Sequence, residues 1–336
     1  MKSLLIHGKL DLREEEVPTP EPISDEVRIR MAYAGICGSD LHYYFEGANG
    51  AFIVKEPLSP GHEVSGEVDL DPSGEFAPGT AVTIHPATFG TLIAGLEGAR
   101  HLWPGGAYLG SASTWPHTQG GASEFLVVKK SMLRVLPSGV DLKVATLAEP
   151  LAVGLHAIAI GGGVSGKKVL VSGSGPIGLL AAAAAVAQGA SEVVASDVIE
   201  PALARARALG VTGTILIGKD EMPENYFDLV LECSGVAPAL SSAIVAVARR
   251  GVIVQVGMLA AGPQPIAIAP LVSKEVQLRG TFRFNDEIDA ALLMLAAHPQ
   301  LSSTITHTYP ASEAVTAFEV AKDSKLSGKV LIELWR

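Results

Sequence analysis

Four side chains of this sequence have the chemistry of a metal centre. They are Cys37 in Gly35-Ile36-Cys37-Gly38-Ser39-Asp40, His62 and Glu63 in Pro60-Gly61-His62-Glu63, and Glu149 in Ala148-Glu149-Pro150-Leu151. A thiolate, an imidazole and a carboxylate together suit one zinc ion, and a catalytic zinc keeps a further position for water or substrate. Taken singly each has a structural reading: Cys37 as a small buried apolar residue, His62 as a hydrogen-bonded turn residue, Glu63 as surface charge. The set is what points to a metal. Adjacent residues of a regular strand face opposite ways, so His62 and Glu63 can both ligate only where the backbone is irregular, and Pro60-Gly61 supplies that irregularity. Glu149 is either a fourth ligand or the residue that hydrogen-bonds a zinc-bound water. Cys37 and Cys233 are the only cysteines, which excludes a disulfide framework and fits a reducing cytoplasm.

A second constellation is glycine-rich. Val169-Leu170-Val171-Ser172 runs into Gly173-Ser174-Gly175-Pro176-Ile177-Gly178, where a helix is expected to begin. Gly173 allows a tight turn, Gly175 lets a pyrophosphate approach the backbone, and Gly178 lets helix and strand pack closely, with the anion at the helix N-terminus beside Pro176 and Ile177. Asp197 ends the next strand, where a carboxylate accepts hydrogen bonds from an adenosine ribose. The same carboxylate repels a 2′-phosphate, and no basic residue follows until Arg205, so NAD is favoured over NADP. Ser234 and Val256, just past or at the ends of two later strands, complete the expected cofactor contacts.

These residues need two kinds of scaffold. From Glu26 to about Val135 the apolar residues have period two, as in Val27, Ile29, Met31 and in Val64, Gly66, Val68, Leu70. Turn signals such as Asp71-Pro72-Ser73-Gly74 and Pro137-Ser138-Gly139 separate these strands, which predicts a rolled antiparallel barrel with few helices. The stretch 87–106 has neither period and reads as an excursion from the barrel. After Ala148 strands and helices alternate: strands at 169–172, 192–196, 227–232 and 252–256, helices at 176–188 and 201–209. From about Leu278 the chain is expected to return to the first domain through a helix near 286–297 and strands at 307–309 and 329–334. The predicted division is 1–148 plus 280–336 for the catalytic domain and 149–279 for the nucleotide domain. A length of 336 residues suits two domains, and a formal net charge of -10 leaves no basic footprint for nucleic acid or an anionic membrane. No apolar run approaches the ~20 residues of a transmembrane helix.

Four ordered motifs, 35–44, 61–64, 148–153 and 173–178, together with nearly the whole chain, resemble the zinc-containing medium-chain dehydrogenases. The likeness is to the polyol branch that includes sorbitol and L-idonate 5-dehydrogenases, with the strings at 43–47, 115–117 and 278–284 nearest the latter. This resemblance implies an α/β protein with a GroES-like antiparallel β-barrel catalytic domain and a doubly wound parallel-sheet Rossmann domain, and a homotetramer or homodimer. It implies that Cys37, His62 and Glu63 hold zinc, that Glu149 holds its water, that Ser39 relays a proton, by way of the cofactor ribose or His42, and that Arg283 lies near substrate and nicotinamide. The expected activity is hydride transfer to NAD from a secondary alcohol of a polyol or sugar acid, at best L-idonate to 5-keto-D-gluconate. A sugar-acid carboxylate needs a cation, for which Arg283, Lys55 and His117 are the candidates, whereas a neutral polyol needs hydroxyl partners such as Tyr43. A zinc-free reductase and a non-catalytic nucleotide-binding protein of the same fold are the competing readings. Many relatives carry a structural zinc on four cysteines, but 88–106 has none. The expectation is therefore a single catalytic zinc, with Leu92, Ile93, Leu96, Leu102 and Trp103 fastening the lobe by apolar packing.

Overall fold

The period-two pattern of the first half becomes a sheet in the computed structural model, which describes residues 1–335. In the strand Glu26–Gly35, Val27, Ile29 and Met31 are buried, while Arg28 lies on the other face and donates to Asp69 at 2.6 Å. This strand is central to a seven-stranded sheet ordered Leu133–Val135, Ala81–Ile84, Glu63–Leu70, Glu26–Gly35, Lys329–Glu333, Ile305–Pro310. Phe125–Lys129 also pairs with it, along residues 26–30, whereas Lys329–Glu333 pairs along 33–35. Glu63–Leu70 covers the opposite edge, so one long strand serves three neighbours and the sheet rolls up. Val64, Val68, Val82 and Ile84 share its core with Ile29 and Met31, and Phe318 of the helix Ala314–Lys322 packs into it.

Two helices stand where the sequence suggests strands or a bare seam. Gly38–Glu46 starts directly after Cys37 because the Asp40 carboxylate accepts the Cys37 N–H at 3.0 Å. It ends at Gly47 in the left-handed region, φ 75°, which favours glycine. Ala148–Ile160 links the two halves, with Glu149 and Pro150 in its first turn, where a missing proline N–H costs no helical bond.

The second sheet is all parallel and has six strands, ordered Gly213–Leu216, Glu192–Asp197, Lys168–Ser172, Phe227–Glu232, Val247–Gln255, Gln277–Gly280. In chain order this is 3-2-1-4-5-6, the doubly wound topology, and its switch point lies between Lys168–Ser172 and Phe227–Glu232. The helix Pro176–Ala187 is buried on nearly every side from Gly178 to Ala185, which explains its uniformly small apolar residues. It meets Ala148–Ile160 closely: a Cβ on Gly154 would lie 3.1 Å from the Ala181 Cα.

The return to the first sheet comes later than expected. Gln277–Gly280 still belongs to the parallel sheet, and the helix Glu287–Ala297 buries Ile288, Ala291, Leu292 and Leu295 in the core of the nucleotide half. Their i, i+3, i+4, i+7 spacing makes one apolar stripe, which packs on the helix Ala148–Ile160. The first sheet is rejoined by Ile305–Pro310 and Lys329–Glu333.

The lobe is not fastened as expected. Leu92, Ile93 and Leu102 are exposed, so apolar packing does not hold it. Polar contacts do: Trp103 Nε1 donates to the Leu96 carbonyl at 2.8 Å, the Arg100 N–H to Asn285 Oδ1 at 3.1 Å, and the Arg100 guanidinium pairs with Asp286 and lies over the Phe89 ring. A two-residue ladder, Ala87–Thr88 with Ala107–Tyr108, closes its base. With few neighbours to bury a side chain, directional bonds do what area burial cannot. Among the described residues no helix is long and apolar enough to cross a membrane.

Candidate active site

Three ligand types converge as their chemistry requires. The Cys37 sulfur and one ligating atom each of His62 and Glu63 all lie within 4.8 Å of one another. Cys37 follows the strand Glu26–Gly35, and Glu63 opens its partner strand directly opposite Gly35. His62 escapes strand alternation because it precedes the strand, after Gly61 at φ 97°. Gly35 must lack a side chain, since a Cβ there would sit 2.2 Å from Glu63 Oε2.

Glu63 is wholly buried and would be prohibitively costly alone. Lys329 answers it, donating to both carboxylate oxygens at 2.6 and 2.5 Å and to the Ile36 carbonyl at 3.1 Å. Glu149, also buried, accepts from the Tyr108 hydroxyl at 2.5 Å. It stands beside the three-ligand cluster and is not part of it. Burial, and then the charge of Glu63, raise the Glu149 pKa above the usual carboxylate value. Burial opposes charge on His62, yet the neighbouring Cys37, Asp40 and Glu149 outweigh it and hold the imidazole pKa well above its ordinary value. Asp40 is itself buried, which raises its pKa. One lysine against this many acidic groups leaves a site that favours a cation. The buried His62 Nδ1 has no hydrogen-bond partner, a vacancy in bonding that a metal ligand set explains. These residues fit zinc.

The glycine turn has the shape a dinucleotide needs. Gly173 lies at φ 92°, and a Cβ on Gly178 would be 1.9 Å from the Gly173 carbonyl oxygen, so turn and helix touch backbone to backbone. A Cβ on Gly175 would meet nothing within 4 Å, leaving open space at the N-terminus of Pro176–Ala187, beside Ile177. Asp197 closes the far side, accepting the N–H of Ser174 at 2.7 Å and of Ile199 at 3.0 Å. Ser234 and Val256 stand just past the carboxyl ends of Phe227–Glu232 and Val247–Gln255, at the same rim.

The residues expected near substrate divide. Arg283 lies with its guanidinium 3.9 Å over the Tyr108 ring, next to Glu149. Its backbone is left-handed, φ 52°, and it has no hydrogen-bond or ion-pair partner among the described residues. Ser39 sits half-buried in the first turn of Gly38–Glu46, and the exposed His42 is one turn on, bonded to Glu46 at 3.1 Å. Tyr43 is buried, its hydroxyl accepting the Ala112 N–H at 3.0 Å. His117 departs from expectation: it is buried, Nε2 accepts the Lys55 N–H at 2.9 Å and Nδ1 bonds the Thr114 carbonyl at 3.0 Å. Both ring nitrogens are occupied, one across to Lys55 and one within its own loop, which leaves none for a carboxylate. The Lys55 side chain is exposed.

The family model "Alcohol dehydrogenase GroES-like domain" matches residues 23–138, and the model "Zinc-binding dehydrogenase" matches 176–297. Sorbitol dehydrogenase of Macaca fascicularis is 34% identical over 334 residues, 95% of this chain and 92% of that protein. L-idonate 5-dehydrogenase (NAD(P)(+)) of Escherichia coli strain K12 is 36% identical over 90% of each chain. The chain belongs to the zinc-binding medium-chain dehydrogenases. Within them it sits in the polyol branch. The crystal structure of Escherichia coli L-idonate 5-dehydrogenase superposes with a TM-score of 0.92 at 32% identity, covering 99% of this chain and 97% of that one. Galactitol-1-phosphate dehydrogenase from Escherichia coli gives 0.88 at 29% identity, over 99% and 100%. For a member of this family, zinc and a nicotinamide dinucleotide are the cofactors, and Cys37, His62 and Glu63 form the matching metal cluster.

Sequence reasoning missed Tyr108, Lys329 and Asp40. Lys329 had a signal, a lysine heading the otherwise apolar Lys329-Val330-Leu331-Ile332 of a buried strand. Tyr108 had none, because its neighbours gave no period to read.

Proposed function

We propose that this chain oxidises a secondary alcohol of a sugar acid with NAD, with L-idonate to 5-keto-D-gluconate as the leading reaction. The observation that carries the substrate class is Arg283: a half-buried cation on a left-handed backbone beside Glu149, stacked on the Tyr108 and Phe282 rings with no carboxylate partner of its own, is placed to take one from a ligand. Bound at Cys37, His62 and Glu63, zinc would supply Lewis acidity to the substrate hydroxyl, and the nicotinamide ring would accept hydride. The protein's own residues do the rest. Lys329 fixes the Glu63 carboxylate, and Tyr108 holds Glu149 beside the ligand cluster, where it would meet a water or hydroxyl on the metal. Ser39, whose hydroxyl makes no hydrogen bond among the described residues, takes the substrate proton and hands it outward toward His42. Arg283 pairs with the carboxylate at the far end of the substrate.

The preference for NAD rests on Asp197 and on where Arg205 points. Arg205, the first basic residue after Asp197, has its Nη2 engaged by the Ser324 carbonyl at 2.6 Å, and the Asp197 carboxylate itself disfavours a 2′-phosphate. We further propose two functional domains, a catalytic one and a nucleotide-binding one, with the chain rejoining the first at Ile305–Pro310, a cytoplasmic homotetramer or homodimer, and a small-molecule partner rather than nucleic acid or membrane.

NADH formation by purified protein on L-idonate, D-gluconate, sorbitol, xylitol and L-threonine, with and without a chelator, tests this reading. L-idonate should be preferred and the chelator should abolish turnover. Sorbitol outpacing L-idonate by a wide margin would assign the chain to neutral polyols, and activity with NADP alone would overturn the reading of Asp197.

A further inference from the structure

The strand Phe227–Glu232 ends at the switch point on a residue that the chemistry above leaves unused. Glu232 is fully buried, and its carboxylate accepts the Ser234 N–H at 2.9 Å, the Gly235 N–H at 3.1 Å, the Ser234 hydroxyl and the Gln255 side-chain amide. Its main-chain carbonyl accepts the N–H groups of Val256 and Gly257, both at 2.8 Å. One residue thus fastens the turn after its own strand to the end of the next strand. Among the described residues no lysine, arginine or histidine pairs with it, so its carboxyl group is held by neutral donors alone.

What Glu232 fastens is packed to backbone contact. A Cβ on Gly257 would lie 2.3 Å from the Gly235 nitrogen, and a Cβ on Gly173 would lie 2.8 Å from the Ser234 nitrogen. The pyrophosphate turn, the 234–235 turn and the 256–257 strand end therefore form one stack with no room for an extra methyl group. In a doubly wound sheet the two halves of the dinucleotide lie on either side of the switch point. Asp197 and Gly213–Leu216 are on the adenosine side, and Glu232, Ser234 and Val256 are on the other. The Ser234 hydroxyl is spent on Glu232 and accepts the Val236 N–H at 3.3 Å, so this turn meets a ligand by its shape.

We infer that Glu232 is a positioning residue for the nicotinamide half of the cofactor, acting through the Ser234–Gly235 turn. This rests on the dinucleotide reading above. A carboxylate suits the task because it accepts on every side and donates nowhere, whereas an amide of equal size places two N–H donors among the donors it must satisfy.

Glu232→Gln separates this role from a general loss of structure. NADH affinity, read from the fluorescence of bound NADH, should fall at least about ten-fold, while the inhibition constant of AMP, which probes only the adenosine half, stays within about two-fold, the change expected of one lost charged hydrogen bond. Equal weakening of NADH and AMP would make Glu232 a structural residue and overturn the inference. Unchanged NADH affinity in folded Glu232→Gln would overturn it as well. Should that variant fail to fold, Ser234→Ala removes one donor and should weaken NADH about three-fold with AMP unaffected; no change there would count equally against it. Wild-type chain that binds AMP and NADH equally well would sink the positioning role alone, whereas wild type that binds neither would sink the functional reading beneath it.

Discussion

At the scale of single residues, the site depends on groups whose partners are few. Arg283→Gln keeps the stacking surface but removes the charge, so KM for L-idonate should rise about 10- to 100-fold, with a small effect on any turnover of sorbitol. Steady-state kinetics on both substrates read the difference, and an equal loss on both would deny Arg283 a carboxylate. Tyr108→Phe leaves the buried Glu149 without its 2.5 Å donor, and kcat/KM should fall by about ten-fold or more, the cost of one unsatisfied buried acceptor. Residues at this scale were legible in proportion to how local their evidence was. Cys37, His62 and Glu63 sit in short strings whose composition already suggests ligands, whereas Tyr108 acquires its role from a partner 41 positions away. His117 departs from expectation for the same reason: one of its ring bonds reaches Lys55, on a loop 62 positions earlier, and nothing beside it in the chain announces that bond.

Among elements, the packed helices Ala148–Ile160 and Glu287–Ala297 brace the nucleotide half. Glu287, at the start of Glu287–Ala297, accepts from His156 Nδ1 on Ala148–Ile160 at 2.6 Å and from the Asn285 N–H at 2.7 Å. Burial would raise the Glu287 pKa, but these bonds win and bring it down to about 2. A carboxylate depressed in the folded state stabilises above its unfolded pKa, and that contribution disappears as pH falls from the ordinary carboxylate range toward 2. Glu287→Gln should therefore lower stability near neutrality by an amount of order 2 kcal/mol and flatten its decline between about pH 5 and 2. Thermal unfolding across that range checks it, and parallel curves for the two proteins would refute it. The strands and the glycine turn were readable because period and turn chemistry are local properties of sequence. The helix Gly38–Glu46 was not, since its start rests on a capping contact from Asp40 and no long apolar stripe marks it.

For the whole molecule, the doubly wound sheet and the rolled barrel followed from the alternation of element types, and both are present. The lobe did not follow, because exposed polar contacts leave no periodic trace. Asp286→Ala should loosen it, seen as faster proteolytic cleavage within 91–99 with the melting temperature little changed; unchanged cleavage would mean the Arg100 pair does not hold the lobe. Metal analysis should find about one zinc per chain, with two per chain contradicting the single-centre reading.

The bond from Lys329 to Glu63 spans 266 positions of sequence. During synthesis the thiol, the imidazole and both glutamates therefore emerge well before the ammonium group that makes burying one of them tolerable. Until the strand Lys329–Glu333 slots beside Glu26–Gly35, the nascent site is a set of ligands with an uncompensated carboxylate and an incomplete wall. A fragment lacking that strand therefore holds every ligand of the cluster but neither the wall nor the ammonium group that makes burial of Glu63 tolerable.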